Sequence, residues 1–375
     1  MKNITKRLLH GLFKNGIRLK ENRKIIIVSP AIKMGGVERS STTLANYLSK
    51  TSNQIIFISI FHQEHFYKLS GSVIFLEPQF NTRRLSLIKT IVWLRYIIKE
   101  YEPDVILVYN LFYGAIVALT ICGTKIPFFV SDRGSPVYSW PRHINVFNKL
   151  AYTIKQPKGL VCQTNEYANK RNSEIVNPKL CTVIPNIVKE VKLYPEIIRK
   201  NQILAVGRLN DHLKGFDRLV KAFSLIRNND WQLVFAGGDE DGTPLKPLAK
   251  QLGVLDRIVF LGKVIDIDRV YAEAGIFVIP SRSEGFPNSL CEAMAAGLPC
   301  VSYDFIAGPR EILTDGLDGL IIENGNIVAL AEALDYLISN PEVRKDLGKN
   351  AMAIRERLNG ERISNDYLSF ILDNN

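Results

Sequence analysis

The sequence predicts an α/β protein built from two doubly wound parallel-sheet domains that face each other across a cleft. Three observations predict it. Short β-rich apolar runs alternate with segments of helical period, the alternation occurs twice, and a charged stretch lacking such runs separates the two series. The chain has 375 residues, enough for two such domains at roughly 150 residues each. Runs that are apolar throughout suit strands covered by helices on both faces.

In the first series the runs are 24–29 (KIIIVS), 54–60, 73–76, 104–109, 127–131, 159–163 and 182–184, with helical segments such as 37–49 and 85–100 between most of them. Residues 188–201 form the charged linker. The second series follows at 202–206, 232–236, 257–261, 276–279, 299–303 and 320–322. The expected division is a leader at 1–24, an N-terminal domain at 25–190 and a C-terminal domain at 191–360. A final helix, 361–375, could cross back to the N-terminal domain. Ligands of such sheets bind beyond the carboxyl ends of the strands, so loops that follow strands are where chemistry is expected.

Composition excludes several classes. With 46% hydrophobic and 23% charged residues, the chain is too apolar for disorder and too charged for a multi-span membrane protein. No stretch approaches the ~18 apolar residues of a spanning helix. The five cysteines are odd in number and form no Cys-x-x-Cys, which fits reduced, buried thiols in a cytoplasmic protein. The five histidines lack zinc spacing. Neither a dinucleotide glycine fingerprint after a strand nor a P-loop is present.

The net charge of +11 is unevenly spread. Residues 1–190 hold 27 basic and 11 acidic side chains, and residues 191–375 hold 21 and 26, so the excess lies in the first half. A basic half suits an anionic partner, whether nucleic acid, phospholipid or a phosphorylated substrate. Nucleic-acid motifs are lacking, which ranks that partner last. The leader contributes Lys2, Lys6, Arg7, Lys14, Arg18, Lys20, Arg23 and Lys24. Ile4, Leu8, Leu9, Leu12, Phe13 and Ile17 recur there at spacings of three and four, the pattern of a helix lying on an anionic bilayer. A solvated leader, or a helix packed on its own domain, would share that pattern. His10 and Gly11 interrupt the apolar run and argue against a signal peptide.

The strongest local signal is PSRSEGFPNSLCEAMAAGLP at 280–299. A strand ends in a Ser-Arg-Ser loop, and a helix is expected over 288–296, capped by Asn288 or Ser289 and stopped at Gly297. A strand–loop–helix of this kind aims backbone N–H groups at the cleft and makes an anion site. Gly285 permits close backbone approach. Glu284 and Glu292, eight residues apart, would repel phosphates and so should hold neutral sugar hydroxyls. Alternatively, Glu292 faces solvent and Glu284 caps a loop.

This segment resembles the Glu-x7-Glu motif of the family-4 glycosyltransferases, retaining enzymes of the GT-B fold. MGGVERSS resembles that family's N-terminal glycine loop, VGRLNDHLKGFDRLVKAF its basic loop, IPNIV the end of its N-terminal domain, and SYDFIAGPREILTDGLDGLII the loop and strand after the motif. The resemblance implies an acceptor-side N-terminal domain and a C-terminal domain that binds a nucleotide-sugar. It implies that Arg208 and Lys214 hold the donor's diphosphate, Arg as a two-pronged fork and Lys as a point charge. Glu292 would take the ribose and Glu284 the donor hexose. Gly35 and Gly36 would bring backbone to the diphosphate or donor sugar, and the amides near Gly285, Phe286, Asn288 and Ser289 would complete the anion site. Arg208, Lys214 and Glu284 are thus the expected catalytic set, with no nucleophile: the acceptor enters on the leaving-group side and the diphosphate takes its proton.

One feature departs from the family. Many members carry a histidine where this chain has Ser131-Asp132-Arg133-Gly134. This form is similar to members that build bacterial surface polysaccharides, and Asp132 and Arg133 are expected at the donor sugar or an acceptor phosphate, or else in a loop salt bridge. Asp239-Glu240-Asp241 has an Asp-x-Asp shape, but its exposed, Gly-flanked loop argues against a metal site. No metal and no cofactor are expected.

The implied activity is transfer of a hexose or N-acetylhexosamine from a UDP-sugar to a polyprenyl-diphosphate-linked or other glycan, in capsule, O-antigen, lipopolysaccharide or exopolysaccharide assembly. The expected place is the cytoplasmic face of a membrane, held peripherally. The alternatives are a nucleotide-sugar epimerase of the same fold and a non-enzymatic nucleotide-sugar-binding adaptor.

Overall fold

A computed structural model describes residues 22–80, 86–135, 140–170, 175–176, 178–238, 243–306 and 308–374. Most of the basic leader and the Asp239-Glu240-Asp241 loop lie outside the described residues.

The first sheet comprises β1 (Lys24–Ser29), β2 (Gln54–Ser59), β3 (Ile74–Leu76), β4 (Val105–Tyr109), β5 (Phe128–Ser131), β6 (Gly159–Cys162) and β7 (Leu180–Val183). All pairings are parallel, in the order 3-2-1-4-5-6-7. Its helices are α1 (Gly36–Leu48), α2 (Leu87–Tyr101), α3 (Leu111–Thr120), α4 (Arg142–Ile154) and the short α5 (Asn165–Lys170). Successive strand side chains point to opposite faces. Ile26 and Val28 therefore pack with Leu94, Ala115, Val117 and Tyr152 of α2, α3 and α4. Ile25 and Ile27 pack on the other side with Leu44, Ala45 and Leu48 of α1.

The second sheet contains β8 (Gln202–Val206), β9 (Gln232–Ala236), β10 (Ile258–Phe260), β11 (Ile276–Ile279), β12 (Cys300–Tyr303) and β13 (Leu320–Ile322). It is also parallel, in the order 10-9-8-11-12-13. Its helices are α6 (Phe216–Phe223), α7 (Leu245–Gln251), α8 (Ile267–Glu273), α9 (Asn288–Ala295), α10 (Ile327–Ser339), α11 (Pro341–Ala351) and α12 (Ile354–Arg357). One continuous core holds them. Each sheet reverses direction of build at its centre, between β1 and β4 and between β8 and β11, which opens a crevice at those carboxyl ends. The expected two-domain α/β architecture is thus observed.

The last helix, α13 (Gly360–Asp373), leaves the C-terminal domain and joins the core of the N-terminal one. Ile363, Tyr367, Leu368, Ile371 and Leu372 are buried against the face that holds Ile25 and Ile27. Cys162, Cys291 and Cys300 are buried thiols, whereas Cys122 and Cys181 are exposed, so the expectation of burial holds for three of the five.

Leu368 is fully buried, and removing three carbons from such a site costs about 2–5 kcal/mol. Leu368→Ala should therefore lower the melting temperature of the whole chain by several degrees in calorimetry. An unchanged transition would contradict the packing of α13 against α1 and β4.

Candidate functional site

Three loops converge between the domains: 207–215 after β8, 280–287 after β11 and 30–35 after β1. The first two are stapled together. Arg282 bonds both carboxylate oxygens of Asp217 at 2.7 Å and the carbonyl of His212 at 2.8 Å. Its amide donates to the Leu213 carbonyl at 2.7 Å. Gly215, with φ of +65°, lies so close that an added Cβ would sit 2.0 Å from the Pro280 carbonyl oxygen. Only glycine meets both demands.

The staple sets the catalytic candidates side by side. Lys214 ends a 3-10 turn, His212–Lys214, and its Nζ donates to Glu284 Oε1 at 2.8 Å. Ser281 Oγ donates to the same oxygen at 2.7 Å. Arg208 stands outward, 80% exposed, on Asp211 Oδ2 at 2.6 Å. The two cations are therefore unequal: each rests on one carboxylate, but Lys214 is part-buried between the loops and Arg208 lies at the surface.

The helix after the motif begins where expected, but its cap differs. Pro287 occupies the cap position and no side chain caps α9, so the sequence expectation of an Asn288 or Ser289 cap is corrected. A proline side chain offers no acceptor, which leaves the first turn's N–H groups without a side-chain partner. Asn288 instead reaches across the cleft: its Oδ1 accepts from Asn186 Nδ2 at 2.9 Å. Phe286 is buried in the C-terminal core and anchors the loop. Ser289 contributes its carbonyl to the Tyr271 hydroxyl at 3.5 Å. Gly36 faces the Asn288 side chain across the cleft, and a Cβ added to it would lie 3.8 Å from Asn288 Nδ2. Gly35 precedes it in extended conformation and lies against the Glu38 carboxylate.

Glu292 is buried, which rules out the solvent-facing alternative. Its carboxylate forms an ion pair with Arg39 of α1, from the other domain, and accepts from the Tyr271 hydroxyl at 3.2 Å. Burial opposes the charge on Arg39, but the Glu292 carboxylate outweighs it and holds the Arg39 pKa above its ordinary value. Burial, reinforced by the same carboxylate, pushes the Tyr271 hydroxyl pKa well up.

Gly285 touches the N-terminal domain directly: an added Cβ would be 2.8 Å from the Arg133 carbonyl oxygen and 3.1 Å from that of Gly134. The Asp132 and Arg133 side chains are placed beneath this contact. They are 4% and 8% exposed and are held by protein partners. Asp132 accepts from the Tyr167 hydroxyl and from the Gly134 amide, and burial raises its pKa. Arg133 donates to Asn186 and to the Tyr367 hydroxyl of α13. No salt bridge joins Asp132 and Arg133 in the described residues. A buried cation needs such partners, and here they tie β5, α13 and Asn186 into one unit.

The N-terminal wall of the cleft holds a cavity of about 240 Å³, lined by Lys33, Glu38, Gln63, Asn110, Tyr113 and Trp140 among others. Burial raises the Glu38 pKa. Asn110 adopts φ of +79° and caps α3 with its own side chain. Arg39, Tyr271, Asn186 and this cavity are not among the features expected from sequence. Arg39 and Asn186 lie inside the quoted MGGVERSS and IPNIV segments, so motif membership is a usable signal for them. Tyr271 carries none.

Two parallel-sheet domains facing across such a cleft are the GT-B fold of glycosyltransferases. Residues 34–190 match the model of Glycosyltransferase Family 4 and residues 193–353 that of Glycosyl transferases group 1, and the chain belongs to the glycosyltransferases that carry this pair of domains. It is 27% identical to an uncharacterized glycosyltransferase of Haemophilus influenzae, over 89% of this chain and 95% of that one. It is 26% identical to the Campylobacter jejuni GalNAc-alpha-(1->4)-GalNAc-alpha-(1->3)-diNAcBac-PP-undecaprenol alpha-1,4-N-acetyl-D-galactosaminyltransferase, over 93% and 98%. Anabaena Alr3699/HepE, solved in complex with UDP and glucose, superposes with a TM-score of 0.78 at 17% identity, covering 93% of this chain and 99% of that one. The Haemophilus and Campylobacter relatives are transferases by name, and the epimerase expectation finds no support in them.

Asp217 bonds Arg282 only when ionised, and that bond, foremost, holds its pKa below the usual 3.8. The staple therefore stabilises the fold above that value and is lost as the pH falls further below it. The pair is partly exposed, so its worth is about 1 kcal/mol after solvent screening. Asp217→Asn should lower the melting temperature at pH 7, and the gap to the parent should close below about pH 4. A gap independent of pH would contradict the ionic staple.

Proposed function

We propose that the protein is a retaining glycosyltransferase that moves a hexose or N-acetylhexosamine from a UDP-sugar to a lipid-diphosphate-linked glycan during bacterial surface-polysaccharide assembly, at the cytoplasmic face of a membrane. The observation that carries the site assignment is the convergence of Lys214, Glu284 and the uncapped start of α9 at the carboxyl ends of β8 and β11. The Campylobacter relative, by its name, extends a diphospho-undecaprenol-linked glycan, which supports the acceptor class. Among the described residues no helix is long and apolar enough to cross a membrane.

In this reading the donor diphosphate lies between Lys214, Arg208 and the first turn of α9. Charge grows on the leaving oxygen as the sugar bond breaks. Oriented N–H groups, with the two cations once the donor has drawn them from their carboxylates, stabilise that charge. The diphosphate draws Lys214 Nζ, and Glu284, held by Ser281, turns to hydroxyls of the donor hexose. Glu292 takes the ribose diol, in place of or together with Arg39. The acceptor's terminal sugar occupies the cavity by Glu38, Tyr113 and Trp140, where aromatic faces and polar groups suit a neutral glycan. Its hydroxyl attacks from the side of the departing diphosphate, which takes the proton. Asp132 and Arg133 support the cleft from below. Arg208 and Lys214 supply the positive charge, so no divalent ion is required.

A charge-assisted bond to the diphosphate is worth about 1.5–3 kcal/mol, and each 1.4 kcal/mol is about tenfold in rate. Lys214→Ala should lower kcat by about 10- to 100-fold, measured as UDP release with membrane lipid extract as acceptor. Glu292→Gln should act mainly on the donor KM. Full turnover in Lys214→Ala would overturn the site. EDTA should leave the rate unchanged, and a loss restored by Mg²⁺ or Mn²⁺ would place a metal ion at the diphosphate.

A further inference from the structure

We propose that the outer face of α2 and α4 docks the protein on an anionic phospholipid surface; this rests on the reading of a lipid-linked acceptor. The observation is a pair of apolar stripes in solvent. On α2, Ile88, Val92 and Tyr96 are 74%, 62% and 65% exposed, and on α4, Val146, Leu150 and Ile154 are 52%, 63% and 57% exposed. The spacing of four within each triplet puts its members on one side of the helix. The opposite sides, carrying Leu94 and Ile98 on α2 and Ala151 and Tyr152 on α4, are buried in the core beneath. Helix α3 packs between the two. Both stripes therefore look outward from the same side of the domain. Apolar side chains so arranged lose free energy to water unless something covers them.

Charge selects what covers them. Lys89 and Lys99 are exposed on α2, Lys125 past the end of α3, Arg142 and Lys149 on α4, and Lys158 just beyond it. No acidic residue occurs from 133 to 165; Glu100 and Glu102 lie at the far end of α2. A second copy of this face would set these cations against their own kind. An anionic bilayer offers acyl chains to the stripes and headgroups to the cations at once. In each βα unit the helix starts at the carboxyl side of the sheet, so both stripes run away from the cleft rim. Trp140, which lines the acceptor cavity, stands two residues before Arg142. A lipid-linked glycan rooted in the same bilayer would meet the cleft there.

The test is flotation of the full chain on vesicles of equal parts phosphatidylglycerol and phosphatidylcholine. Two double variants, Ile88→Glu with Val92→Glu and Val146→Glu with Leu150→Glu, alter exposed positions. Ile198→Glu, at a site 87% exposed in the interdomain segment, is the control. The parent and the control should float, and each double variant should bind about tenfold more weakly or less. UDP release with detergent-dispersed membrane lipid extract as acceptor, and no vesicles, should match the parent in all of them. If a double variant melts early, Arg142→Glu with Lys149→Glu takes its place; it should lose binding to the mixed vesicles. A parent that does not float, variants that float like the parent, or a parent that sediments as a dimer through this face without floating would each overturn the proposal. Failure of the glycosyltransferase reading is distinct: no UDP is released by any form, while flotation is unaffected.

Discussion

The bidentate bond between Arg282 and Asp217 is the constraint on which the site depends. It ties the first turn of α6, which closes the loop after β8, to the loop after β11. Once joined, Lys214 and Glu284 must meet, because each lies only two or three residues from the staple. The left-handed turn at Gly215 allows the approach. A lysine held by one carboxylate is immobile yet releasable, which suits a group that must bind an arriving anion. Arg208, loosely paired at the surface, brings the complementary property of reach.

A second set of contacts fixes how the two domains face each other. Gly285 rests on the Arg133–Gly134 backbone, Asn288 bonds Asn186, and Arg39 pairs with Glu292. Each comes from a motif on one side meeting a motif on the other. Arg133 is held by Tyr367 of α13, so the helix that ends the chain buttresses the contact surface from behind. The return of α13 to the N-terminal core thus links the ends of the molecule to its centre.

Much of the fold is legible in the sequence because buried parallel strands are written as unbroken apolar runs. KIIIVS is β1 without change, and the other runs locate their strands within a residue or two. The helix of 288–295 is visible from its Gly-Pro stop. Its cap is not, because Asn and Ser are good caps in isolation, whereas here Pro287 takes the position and Asn288 is drawn across the cleft. The partners of Asp132 and Arg133 are hidden for a similar reason: Tyr167, Tyr367 and Asn186 are distant in sequence and meet the pair only in the fold. Arg39 cannot be matched to Glu292 from sequence, since their meeting depends on how two separate sheets are oriented.

The most direct measurement is a crystal structure of the protein with UDP. The account predicts the diphosphate within hydrogen-bonding distance of Lys214 Nζ and the start of α9, with the ribose hydroxyls on Glu292. A nucleotide bound elsewhere, with the Lys214–Glu284 and Arg39–Glu292 pairs untouched, would contradict it.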